Sequence, residues 1–131
     1  MARNYHIDIA AFAADADRKW IDNVLSHFDV PGVESQKRGV ARRLSLDAIR
    51  IVVLIRTLAV DTGLTIDRAL TTALHLLGAS DAESAPARSS WVSLHLDRRA
   101  FEAHVDRRVA AAVEAVVPRR RGRPPSRNQR K

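Results

Sequence analysis

The 131-residue chain has no cysteine, which excludes disulfide scaffolds, cysteine-ligated zinc and thiol nucleophiles. Long apolar runs are missing as well. The longest aliphatic stretch, 51–55, is flanked by Arg50 and Arg56 and falls far short of a membrane span. The first ten residues lack the apolar core of a secretion signal, so a soluble cytoplasmic protein with no membrane partner is expected. Catalytic patterns are absent too. His6, His27, His75, His95 and His104 never stand at the i, i+4 spacing of a helical metal pair, and the chain holds no His-Glu-x-x-His, glycine-rich phosphate loop or Gly-x-Ser-x-Gly. Asp15 and Asp17 are better explained by a turn and a helix cap than by acid–base work. No enzyme activity, cofactor or metal is expected.

What is present is core-forming material and an uneven charge. Hydrophobic residues make up 46% of the chain, enough to bury the core of one small domain. The formal net charge is +7. No acid follows Glu114, and the tail 119–131 carries seven basic residues, so the first 118 residues hold 15 basic against 15 acidic side chains. Even that neutral body is uneven. Residues 37–56 hold Lys37, Arg38, Arg42, Arg43, Arg50 and Arg56 against Asp47 alone. Two separated basic sites suggest a polyanionic partner held at two points.

Residues 7–13 read as a short helix with Ile9, Ala10, Phe12 and Ala13 available for an apolar face. Asp17 can cap a second helix over 18–28, with Ile21, Val24, Leu25 and Phe28 at i, i+3, i+4 and i+7. Pro31-Gly32 is a turn signal and Gly39 suggests a second, and the stretch between them suits a small β-hairpin. Ser45 caps a strongly apolar third helix over 46–60 that Gly63 ends. Thr65 caps a fourth over 66–77 that stops at Gly78. Residues 79–90 have the composition of a linker. The alternation in 91–96 reads as a short strand, and Asp97 caps a long last helix over 98–117. From Pro118 onward the proline-, glycine- and arginine-rich tail is not expected to order alone.

Three segments, taken in order, carry a resemblance. Residues 7–25, IDIAAFAADADRKWIDNVL, look like a family's first two helices, with small Ala10 and Ala13 allowing close packing, Asp17 as cap and Ile21 as the buried apolar residue. Residues 38–50, RGVARRLSLDAIR, look like its hairpin exit and third-helix entry. Residues 58–70, LAVDTGLTIDRAL, look like its link from third to fourth helix. The stretch 7–77, a little over half the chain, resembles the MerR-like winged helix-turn-helix family, with its excisionase-like and antitoxin-like members. Asp15 stands where that family's turn usually has glycine, and the aromatic pair often found in its second helix is absent.

Over 7–77 the resemblance implies a winged helix-turn-helix with a small β-hairpin wing, and the short strand and long C-terminal helix read above, which lie outside it, complete a mainly α fold. Residues 1–78 would form the DNA-binding domain, 79–90 a linker, 91–117 a dimerising or partner-binding element and 118–131 a basic tail. A helix-turn-helix reads the major groove with its second helix, which assigns base contacts to Arg18, Lys19, Asp22 and Asn23. Arginine bonds guanine with both arms, asparagine matches adenine, and aspartate accepts from cytosine. Lys37, Arg38, Arg42 and Arg43 would be the wing's phosphate contacts, which fix register, and Gly39 would let the hairpin tip approach the backbone. In the tail, Arg121-Gly122-Arg123-Pro124, preceded by Arg119 and Arg120, resembles an AT-hook core that lies in narrow A·T minor grooves. A solvated loop and unspecific charge are the competing explanations for wing and tail.

Phe101, Val105, Val109, Ala112 and Val116 are spaced four, four, three and four apart and could form a homodimer seam suited to a palindromic site. The same stripe could instead fold back on its own domain. The expectation is a dimeric, nucleoid-associated transcriptional regulator that binds specific double-stranded DNA. One alternative is an antitoxin or adaptor that neutralises a toxin-like partner protein through 91–117 and regulates its own operon. Another is an architectural protein that holds DNA of any sequence through its tail.

Overall fold

A computed structural model describes residues 4–34, 42–78, 85–86 and 93–115. In chain order these form β1 (Asn4–His6), α1 (Ile7–Ala14), α2 (Arg18–His27), β2 (Val33–Glu34), β3 (Arg43–Ser45), α3 (Leu46–Thr62), α4 (Ile66–Gly78), β4 (Ala85–Pro86), β5 (Ser93–Leu94) and α5 (Arg98–Ala115). The molecule is mainly helical.

Side-chain caps set most helix starts. Asp17 accepts from the Trp20 amide at 3.3 Å, Ser45 from Ala48 at 3.1 Å, Thr65 from Arg68 at 3.3 Å and Asp97 from Ala100 at 3.0 Å. Each satisfies a backbone donor that the first helical turn leaves without a partner. α1 has a cap its sequence does not announce: His6 Nδ1 accepts from the Asp8 amide at 3.1 Å. Asp15 closes α1 in the left-handed conformation at φ 55° and ψ 49°, its amide donating to Ala11 and Phe12. Among non-glycine residues, aspartate and asparagine visit that region most readily. α2 stops one residue short of the sequence expectation because Phe28 is extended. α3 runs two residues beyond 60, to Gly63 at φ 73°.

The larger sheet has the order β1-β3-β2, antiparallel throughout, with Tyr5 and Val33 both opposite Leu44. Leu44 is completely buried, so the alternation of β3 leaves Arg43 exposed on the other side. β4 pairs with β5 and falls within the stretch expected to be linker, while β5 covers 93–94 of the expected 91–96 strand.

α3 is the centre of the molecule. It buries Ala48, Ile49, Ile51, Val52, Val53, Leu54, Ile55 and Leu58 and packs against α1, α4 and α5. A helix this apolar all round needs cover on several sides.

α5 supplies part of that cover, which reassigns the expected seam. Val105, Val109 and Ala112 are buried in the same core as α1 and α3, and Phe101 packs half-buried against it. Val116 lies outside the described residues. The stripe demanded burial and found it within the chain, without the entropic cost of association. It is therefore not a free face for a second copy or a partner, and α5 does not stand apart from the helices of 1–78.

Gly32 holds the turn into β2 at φ +90°, and its carbonyl accepts from the Ser45 amide at 3.0 Å. An added Cβ would collide with the capping Ser45 Oγ and lie 3.1 Å from the Ala48 Cβ, whereas nothing lies within 4 Å of one at Gly63. Gly32→Ala is expected to lower the unfolding free energy by about 1–3 kcal/mol. In urea titrations it should cost more than Gly63→Ala, which bears only the left-handed penalty of about 1 kcal/mol.

Candidate nucleic-acid interface

Ile21 and Val24 turn one side of α2 into the core, which puts Lys19, Asn23 and Ser26 on the exposed side. Among the described residues, the side chains of Lys19 and Asn23 have no partner. Arg18, also exposed, pairs with Asp8 of α1 at 3.4 Å. That contact gives a local reason for a cation at a helix start, where the helix dipole disfavours it.

Asp22 is not open to solvent in the same way. Arg42, which precedes β3, donates one guanidinium nitrogen to Asp22 Oδ1 at 3.3 Å and another to Ser26 Oγ at 3.2 Å. The pair is only partly shielded, with side-chain exposures of 30% for Arg42 and 48% for Asp22. Such pairs contribute about 0–1 kcal/mol of stability. What the contact does fix is placement, since it ties the exposed side of α2 to the strand that returns from the hairpin. Arg43, next in the chain, is exposed with no partner among the described residues.

The expected site residues therefore divide. Lys19, Asn23 and Arg43 are available to an external ligand. Arg18, Asp22 and Arg42 are engaged within the protein. Lys37, Arg38 and Gly39 lie outside the described residues, as do Arg119, Arg120, Arg121, Gly122, Arg123 and Pro124.

Two other basic residues of 37–56 serve the fold. Arg50 reaches Asp47 at 3.5 Å and Asp106 of α5 at 3.4 Å. Arg56 lies over the half-buried Trp20 ring, 4.9 Å from its centre, a cation–π contact. Arg108 was not flagged by the sequence. Its guanidinium donates to the Phe12 carbonyl at 2.7 Å and sits 4.7 Å from the Phe12 ring centre. A cation there satisfies the negative end of α1, the helix that precedes the exposed α2 face. No local pattern could have revealed it, because the two residues are 96 positions apart.

Chemically, the surface offers an ammonium, a guanidinium and an amide, which suit phosphate oxygens and base edges. Among the described residues no three histidine or acidic side chains gather as a metal site, and no helix is long and apolar enough to cross a membrane. No protein-family model, curated protein or solved structure matches the chain.

Proposed function

We propose that the protein is a sequence-reading double-stranded DNA-binding protein of the MerR-like winged helix-turn-helix type, acting in transcriptional regulation. In this reading α1 and α2 are the helix-turn-helix, and α2 enters the major groove with Lys19 and Asn23 foremost. The β2–β3 hairpin is the wing, with Arg43 on a phosphate, and the tail adds charge from the minor groove. The observation that carries the reading is the Arg42 contact at 3.3 Å to Asp22, which sets the open face of α2 beside the hairpin. The three-residue turn between α1 and α2 and the sheet order β1-β3-β2 support the same reading. A two-fold assembly on a palindromic site would need a surface other than the buried stripe of α5.

A salt titration tests it, with the gene's own upstream DNA and a random duplex as competing ligands. The upstream duplex should bind more tightly at every salt concentration. Lys19→Ala should lower affinity for the upstream duplex more than for the random one. Arg43→Ala should weaken both alike and flatten the log–log salt slope by about one unit, the effect of one lost phosphate contact. Equal affinity for both duplexes in the full-length protein would contradict sequence reading.

A further inference from the structure

We infer that Arg42 is a positioning residue, not a phosphate contact, and that its engagement with Asp22 and Ser26 sets the pose of the wing against the reading helix. The inference rests on the DNA-binding reading above and departs from it at one of the four residues the sequence assigned to wing phosphates.

Arg42 and Arg43 are adjacent in sequence and opposite in circumstance. Arg43 is exposed with no partner among the described residues. Arg42 spends both terminal nitrogens on α2, on Asp22 at 3.3 Å and on Ser26 at 3.2 Å. Those acceptors are one helical turn apart on the same side of α2, so a planar guanidinium can bridge them. A lysine ammonium, with a single donor centre, does not reproduce that fork.

Charge leads to the same assignment. To meet a phosphate, Arg42 would leave two hydrogen bonds and strip the neutralising charge from Asp22. A bare carboxylate on a helix approaching the duplex repels the polyanion. With the contact in place, Asp22 costs nothing electrostatically and Arg42 releases no counterion. β3 and α2 are also tied together through Arg42, with less motion left to lose on binding. The role of Arg42 is thus to hold Lys19, Asn23 and Arg43 in one geometry.

The experiment compares full-length wild type with Arg42→Ala, Arg42→Lys and Arg43→Ala in salt titrations on the upstream duplex. Amide hydrogen exchange is measured on each protein without DNA. With Asp22→Asn added so that no bare carboxylate remains, Arg42→Ala should weaken binding about tenfold with the salt slope unchanged, unlike Arg43→Ala, which loses about one unit. Arg42→Lys should not restore affinity although it keeps the charge. In the free protein, exchange of the Ser45 amide, which donates to Gly32 across the wing, should quicken in both Arg42 variants and not in Arg43→Ala. A one-unit slope loss in Arg42→Ala that persists when Asp22→Asn removes the carboxylate as well, or rescue by Arg42→Lys, overturns the positioning role. Unchanged Ser45 exchange overturns it whether or not DNA binds. If wild type shows no salt-dependent duplex binding, the DNA reading fails separately, and the exchange data still decide whether Arg42 holds the wing.

Discussion

Val105→Asp is expected to abolish the folded state. Val105 is fully buried where α5 packs against the rest of the core. An aspartate there would have to ionise without a partner or stay protonated and underbonded, costing on the order of 2–7 kcal/mol even as a neutral polar group. The lost burial of the valine adds about 1.5–3 kcal/mol. The cost then reaches about 4–10 kcal/mol against the roughly 5–15 kcal/mol that holds a small domain folded, so the substitution removes most or all of it. Val105→Ala removes two methyl groups and should cost about 2 kcal/mol. Circular dichroism during urea unfolding measures both. Because the stripe is buried within one chain, the shift that Val105→Ala produces should be the same at every protein concentration, as it would not be for a dimer seam. A folded, monomeric Val105→Asp protein would return the stripe to an intermolecular role.

The second large effect belongs to the tail. Residues 119–131 hold seven basic side chains and the first 118 residues carry no net charge. Each phosphate neutralised contributes about 0.9 units of salt slope. Deleting 119–131 is therefore expected to flatten the slope by about three to six units and to weaken binding to upstream and random duplexes by similar factors. Under the proposed reading the ratio between the two should survive, because Lys19 and Asn23 remain on α2. Loss of that ratio with the tail would favour the architectural alternative, in which the folded part is only a scaffold.

Local chemistry was legible in the sequence to a considerable depth. Asp17, Ser45, Thr65 and Asp97 each cap the helix expected of them, because a cap acts on an amide two or three residues away. Asp15 takes the left-handed turn for the same local reason. Long-range placement was not legible. β1 is three residues long, too short to show a period, and its partner strand lies some forty residues on. The stripe of α5 announced that a face is buried but not what covers it. Arg42 and Arg43 are indistinguishable in sequence, and only the position of α2 separates the engaged one from the available one. At the candidate site, residue types could be read directly, but not which charges the protein already uses.

The Arg108–Phe12 hydrogen bond, spanning 96 positions, has a consequence for how the molecule is made. A contact of that span forms only after a long loop has closed, unlike the local contacts within each helix. α1 leaves the ribosome before α5, so part of the cover of α1 and α3 arrives only after α2, α3 and α4 have been made. A chain ending ahead of α5 is thus expected to leave uncovered the apolar surface of α1 and α3 that Val105, Val109 and Ala112 bury.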